Sequence, residues 1–198
     1  MSTMKLTILA TSFLHAVVAV SATVLPEQPK LADGLYKSYL DDAGNEVTHF
    51  VPWDQLGNST YVPTVQVLPS PTVNKRSILV KRKEGCHPNV NRPSSETDQA
   101  NKCLIDSFSN DPIVTTANGY KRFSCVKGNS LSYICSYNRG PVLGPGSTTR
   151  KWKSDIKGSW DYVKRTLCGI NRLGYAQVIN GEGDVTAGYT YNGDKYCW

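Results

Sequence analysis

The sequence predicts an α+β fold: an antiparallel sheet of four to five strands packed against two helices, an αβ sandwich stabilised by disulfides. Residues 83–198, which we call the C-terminal domain, contain two segments with apolar residues at helical spacing and several with two-residue alternation. Their order is helix, three strands, helix and two strands, which is typical of an antiparallel sheet with its helices on one face. All six cysteines lie in this domain, as expected of a small core that needs covalent support.

The first helix is predicted to begin at residues 95–98, whose sequence is similar to a capping box. It continues with apolar residues at helical spacing, namely Ala100, Cys103, Leu104 and Phe108. Pro112 follows a turn sequence and ends the helix. Residues 113–117 and 120–126 then flank Asn118-Gly119, a dipeptide typical of two-residue hairpin turns, so we expect these two segments to pair.

The remaining elements are a strand, a helix and two further strands. Residues 130–137 alternate, which predicts a strand with Leu131, Tyr133, Cys135 and Tyr137 on one face. A second helix is predicted over 149–168, ending at Gly169 as a left-handed cap. Its core-facing stripe would contain Trp152, Ile156, Trp160, Val163 and Leu167. Residues 175–179 and 185–191 complete the sheet.

The N-terminus predicts export. The apolar stretch 6–20 follows Lys5 and precedes Ser21-Ala22, which gives the basic region, apolar core and small-residue cleavage site of a secretory signal peptide over residues 1–22. A short buried helix is the alternative, but nothing downstream is patterned to cover it. We therefore expect a secreted, extracellular protein whose signal is cut after Ala22.

The cysteines agree with an oxidising compartment. An even number in a small exported domain predicts three disulfides, although six cysteines allow fifteen pairings. The six are Cys86, Cys103, Cys125, Cys135, Cys168 and Cys197. Zinc is the rival, but the chain lacks CxxC and HxxxH pairs, so we expect neither a metal nor a cofactor.

Residues 23–82 are predicted to be a flexible acidic prosegment. They contain no cysteine, and residues 23–74 have a net charge of −4, whereas the C-terminal domain has a net charge of +5. The segment ends in Leu79, Lys81 and Arg82, a pattern typical of cleavage by a subtilisin-like processing protease, which would release residues 83–198. A plain surface charge is the alternative reading of the basic pair. Asn58 begins the sequon Asn-Ser-Thr and is the predicted glycosylation site.

The candidate catalytic residues are sparse. His87 is the only histidine of the C-terminal domain and lies near its start, which argues against a nucleophile activated by imidazole. Carboxylates could supply an acid and a base, as in glycosidases. The candidates are Glu96, Asp106, Asp155, Asp161, Glu182 and Asp184. Solvated surface positions explain them equally well, so we expect no catalytic residue and keep a carboxylate-dependent hydrolase as the alternative.

A basic stripe is the main candidate binding feature. Lys153, Lys157 and Lys164 project from one side of the second predicted helix, with Arg165 nearby. A solvated face explains these charges; contact with an anionic partner is the functional interpretation. Nucleic acid is not expected as the partner of an exported protein, and we expect a monomer. Tyr189 and Tyr191 could instead form a platform for glycans, although sheet packing explains them too.

The chain resembles small cysteine-rich secreted effectors and killer-toxin-like proteins of fungi. The likeness lies in the signal peptide, the cysteine-free prosegment ending in Leu-x-Lys-Arg, and a six-cysteine domain containing the motifs 100–104, 133–137, Cys168-Gly169 and Gly188-Tyr189. This resemblance implies a protein that binds a target of a host or a competing cell, in virulence, cell-death induction or antimicrobial action. No catalytic residues carry over. A cell-wall glycan-binding module is a further alternative.

Overall fold

The computed structural model describes residues 29–43, 45–68, 84–115, 122–137, 148–194 and 196–197. Ala22, Leu79, Lys81 and Arg82 lie outside these ranges, so both cleavage sites stay predictions. The strands are β1 (Gly34–Leu40), β2 (Glu46–Pro52), β3 (Thr64–Leu68), β4 (Glu84–Asn91), β5 (Ile113–Thr115), β6 (Arg122–Lys127), β7 (Ser130–Ser136), β8 (Thr149–Lys151), β9 (Arg172–Gln177) and β10 (Val185–Tyr191). The helices are α1 (Ser94–Asp106) and α2 (Lys153–Tyr162).

The α+β class with disulfide support is confirmed, but the predicted sheet of four to five strands is too small. Among the described residues the principal sheet has eight strands in the order β3-β2-β1-β6-β7-β10-β9-β4, all paired antiparallel, and β5 and β8 form a separate two-stranded sheet. The additional strands are β4 and three strands from the segment that was expected to be a flexible prosegment. In the described part of that segment, β1, β2 and β3 form a meander joined to the C-terminal domain through β1 and β6.

The predicted hairpin around Asn118-Gly119 is wrong in its pairing. Strand β5 pairs with β8, while β6 is bonded on one side to β1 and on the other to β7. Because both edges of β6 are occupied, it has no free edge for β5. The turn dipeptide itself lies outside the described residues.

Both helices form, with shifted starts. Helix α1 begins after Pro93 without a side-chain cap, and Asp98, the residue that would close the predicted capping box, accepts a hydrogen bond from the Arg92 guanidinium instead. Helix α2 begins after Trp152 because residues 149–151 are strand β8. It continues as a π-helical turn over Val163–Leu167 and ends before Gly169, whose φ of +83° confirms the predicted left-handed position.

Two apolar clusters cover the two faces of the sheet. Side chains alternate along β7, so Ile134 points to the face that packs against both helices, while Leu131, Tyr133, Cys135 and Tyr137 lie together on the other, as predicted. The helix-side cluster takes Ile156, Trp160 and Val163 from α2 and the turn that follows it. Trp152, predicted in the same stripe, is 40% exposed because it precedes the helix.

Three disulfides form among the six predicted cysteines. Cys86–Cys168 joins β4 to the end of the turn after α2, and Cys103–Cys125 joins α1 to β6. Cys135–Cys197 fastens the C-terminal residues to β7. Among the described residues no helix has the length and apolar character needed to cross a membrane.

The tyrosines on the second face are expected to make the protein sensitive to alkali. Burial raises the pKa of Tyr36 from 10 to about 12 and also raises the pKa of Tyr133, Tyr137 and Tyr196. Between pH 10 and about 12 the folded protein therefore retains tyrosine hydroxyl protons that the unfolded chain has lost. The free energy of unfolding should therefore be unaffected by these groups below pH 10 and should fall as the pH rises toward 12. Urea unfolding across this pH range measures the free energy of unfolding, and the ultraviolet absorbance of tyrosinate, recorded in parallel, measures the loss of the protons.

Tyr36→Phe should make the decrease in the free energy of unfolding shallower. A single tyrosine transition centred on pH 10 in the folded protein would contradict the prediction.

Candidate functional site

A cleft of about 670 Å³ lies between the N-terminal strands and helix α1. One wall and part of the floor come from β1, β2 and the connection between β2 and β3. The other wall is the C-terminal half of α1. The lining residues are Leu35, Val51, Trp53, Gln55, Leu56, Gly57, Asn58, Tyr61, Gln99, Lys102, Cys103, Asp106 and Ser107. The volume is that of a cleft that takes a small-molecule ligand or a short chain segment.

Consecutive turns build the first wall. Residues Trp53–Gln55 form a 3₁₀ turn, and the amides of Leu56, Asn58 and Tyr61 each donate to the carbonyl three residues earlier. Gly57 has φ of +85°, a conformation that glycine adopts without steric cost. This compact connection holds Trp53 and Tyr61 against the cleft rather than leaving them on an extended loop.

The position of Trp53 is fixed from both parts of the chain, by Asp33 of the N-terminal region and by Lys127 of the C-terminal domain. Its backbone amide donates to the Asp33 carbonyl at 3.1 Å, and the Lys127 ammonium lies 4.7 Å from its ring centroid. Lys127 also forms an ion pair with Asp33 at 3.1 Å. A cation over the face of a half-buried indole restrains the ring, so this side of the cleft is organised before any ligand arrives.

The second wall is anchored by a disulfide. Cys103 lies in the lining and bonds to Cys125 of β6, the strand that pairs with β1. Both walls are thus attached to the same strand, one by backbone hydrogen bonds and one by a covalent bond. The width of the cleft is therefore set by rigid elements.

The lining combines an apolar floor with polar groups at the rim. Leu35, Val51 and Leu56 supply aliphatic surface, and the side-chain amides of Gln55 and Gln99 supply donors and acceptors. Lys102 and Asp106 form an exposed pair one helical turn apart, so they add little net charge. This arrangement suits a neutral ligand with one apolar face and several hydroxyl or amide groups.

The predicted glycosylation site lies at the rim of this cleft. Asn58 is exposed, its Nδ2 donates to Gln55 Oε1 at 3.0 Å, and its Oδ1 accepts from the Thr60 hydroxyl at 2.8 Å. Nδ2 is the atom to which a glycan would be attached. A glycan here would lie beside the opening of the cleft. Its presence stays a prediction.

The residues of the predicted basic stripe are divided by the structure. The Lys153 ammonium donates to the Phe108 carbonyl, and Lys164 lies 3.7 Å from the Asp98 carboxylate. Lys157 and Arg165 are exposed. Lys153 and Lys164 therefore have structural partners, which leaves Lys157 and Arg165 as the more accessible members. Binding by the stripe stays a prediction.

Three of the six candidate carboxylates, Asp155, Asp184 and Glu96, bond to neighbouring polar groups. Asp155 accepts from the Asn180 amide at 2.9 Å, Asp184 accepts from the Gln177 amide at 3.0 Å, and Glu96 holds the turn after β6. His87 lies half-buried in β4, where burial lowers its pKa and the charge of Asp194 opposes that shift. Within the described ranges no three metal-ligating side chains come together.

The possible glycan platform on β10 does not form. Tyr189 is fully buried beneath the Arg92 guanidinium, which lies 5.4 Å from its ring centroid. The Tyr191 hydroxyl donates to the Asn91 carbonyl. Sheet packing, the alternative considered from the sequence, accounts for both residues.

Comparison with known proteins adds no identification. No family model matches the chain, and no curated protein or solved structure matches it. The resemblance to fungal effectors therefore stays an expectation from sequence features.

Sequence reasoning missed the cleft because most of its lining belongs to the segment expected to be flexible. A signal was present. Residues 34–40 and 46–52 are rich in aromatic and β-branched residues and flank an Asp-Asp-Ala-Gly-Asn turn, a pattern typical of a hairpin. The lack of a helical stripe in this segment does not argue against strands, whose apolar pattern has a different period.

Proposed function

We propose that this is a secreted protein of effector or toxin-like type that acts by binding a target of a host or a competing cell. The observation that carries the proposal is the cleft between the N-terminal strands and α1, with its aromatic and amide lining and its covalently anchored walls. Three disulfides support an oxidising destination. The predicted signal peptide and the resemblance support the extracellular site of action.

A cell-wall glycan is the ligand class that this cleft favours. An aromatic ring offers a flat apolar face on which the C–H face of a sugar ring can lie, and amide side chains bond hydroxyl groups in either direction. Trp53 and Tyr61 supply rings, while Gln55 and Gln99 supply amides. Glycan binding at the cleft is thus the second candidate function, and it is compatible with the first when the target carries the glycan.

The test of the cleft is the variant Trp53→Ala. Purified protein is incubated with insoluble chitin, β-glucan and cellulose, and it is also infiltrated into plant leaf and added to competing fungi. We expect binding to one of the polysaccharides that weakens at least ~10-fold in Trp53→Ala, because a large aromatic side chain at a binding site typically contributes more than 1 kcal/mol. The leaf or growth response should weaken in parallel.

Two matched variants make the result specific. Trp152→Ala removes another partly exposed tryptophan, one outside the cleft, and should leave binding unchanged. Lys157→Glu with Arg165→Glu reverses the exposed part of the basic stripe. Loss of activity in that double variant, with Trp53→Ala fully active, would transfer the function from the cleft to the stripe. Turnover of any of the polysaccharides by the pure protein would overturn a binding function in favour of the hydrolase alternative.

A further inference from the structure

Strand β1 is an internal strand of the principal sheet. It pairs with β2 on one side and with β6 on the other, where the register runs from Gly34 opposite Val126 to Ser38 opposite Arg122. Residues 29–68, which we call the N-terminal segment, are therefore attached to the C-terminal domain by a ladder of backbone hydrogen bonds. Removing them would leave the amides and carbonyls along one side of β6 unpaired.

Apolar contacts reinforce this ladder on both faces. Leu35 is 6% exposed and belongs to the helix-side cluster together with Leu104 and Phe123. On the opposite face Leu31 and Tyr36 pack against the cluster that contains Tyr133. The N-terminal segment thus completes both cores.

Polar contacts fix the position of the N-terminal segment on the C-terminal domain. The Asn192 side chain accepts from the Leu31 amide and donates to the Leu31 carbonyl, both at 2.8 Å, in the manner of a further strand pair. Arg122 pairs with Glu46 at 2.9 Å. Asp33 pairs with Lys127 and also accepts from the Gly128 amide at 2.7 Å. These ion pairs explain in part why an acidic segment accompanies a basic domain.

No covalent bond other than the chain itself joins the two parts. All six cysteines of the sequence lie between Cys86 and Cys197, and each disulfide links two of them. A cut after Arg82 would therefore produce two chains held by the sheet, the two cores and the ion pairs alone.

We infer that the N-terminal segment stays bound after cleavage, so that the processed protein is a two-chain molecule and not a C-terminal domain that has lost its prosegment. Residues 29–68 of the same protein are the partner that pairs with the side of β6 not bonded to β7. The retained segment keeps Trp53, Tyr61 and Asn58 at the cleft, and a glycan at Asn58 would stay with the processed protein. The readout below is association, so it does not depend on what the cleft binds.

The experiment uses the full secreted chain with residues 77–82 replaced by the recognition sequence of a site-specific protease. After folding and cutting, denaturing electrophoresis without reductant should show two fragments, and size-exclusion chromatography at micromolar concentration should show one peak containing both. Concentrated guanidinium chloride without reductant should separate them. Elution of the N-terminal fragment apart from the C-terminal domain under native conditions would overturn the inference.

A pair of charge variants tests the proposed contacts in the cut protein. Glu46→Lys places a cation opposite Arg122 and should weaken association of the two chains at least ~10-fold. Asp54→Lys makes the same change of charge on the same segment at an exposed position outside the β1–β6 interface, and it should leave association unchanged. Equal effects of the two variants would show that general charge, not this interface, holds the segment, and would contradict the proposed contacts.

Discussion

Residues 83–198 expressed without the N-terminal segment are expected to lose most of their folded yield. The missing segment supplies Leu35, which is 6% exposed in the helix-side cluster, and fully burying such a side chain stabilises a protein by about 1.5–3 kcal/mol. Strand β6, which lies inside the complete sheet, would also become an edge strand with one unpaired side. A total stability of roughly 5–15 kcal/mol leaves little margin for both losses.

The measurement compares soluble yield, near-ultraviolet circular dichroism and thermal midpoint for residues 83–198 and for residues 23–198 produced in the same way. Co-expression of residues 23–68 as a separate chain is the control, and it should restore folding because the segment binds through non-covalent contacts. A monomeric, folded fragment 83–198 with the thermal midpoint of the longer chain would contradict this expectation. It would also restore the view of the segment as a dispensable prosegment.

The second large effect is expected from removing the Cys86–Cys168 disulfide. Its cysteines are 82 residues apart in sequence, and a cross-link that closes so long a loop removes conformational entropy from the unfolded chain worth about 4–5 kcal/mol. It also fastens edge strand β4 to the turn that follows α2. Cys86→Ala with Cys168→Ala should therefore lower the free energy of unfolding in urea by about that amount.

The Cys103–Cys125 pair provides an internal comparison. Its separation is 22 residues, so its double alanine variant should lose about 1 kcal/mol less than the first variant. Both variants are measured without reductant, and each should retain the other two disulfides by thiol titration. The opposite order would show that loop entropy does not determine the difference and that local packing around Cys125, which is fully buried, dominates instead.

The candidate site illustrates why patterns within one segment were insufficient. Tyr133 and Cys135 were correctly placed on one face of a strand, because alternation along a strand is a local property. Trp53 and Gln99 face the same cleft although 46 residues separate them, and nothing local to either residue indicates the other. The predicted pairing of β5 with β6 is wrong for the same reason. A hairpin dipeptide indicates which neighbours can pair, but β1 occupies the edge that β5 would have needed.

The sequence by itself determined the class of the fold, the three-disulfide composition, the two helices and the face assignment of β7. Periodicity and the glycine after α2 act over a few residues, and the even number of cysteines requires no knowledge of their positions in space. The tertiary structure decided the size of the sheet, the partners of each strand, the cysteine pairing and the cleft. These depend on which strand edges and apolar faces remain open once all others are filled. The acidic N-terminal segment shows the difference most clearly: its composition is that of a removable piece, and its place beside β6 is that of an internal strand.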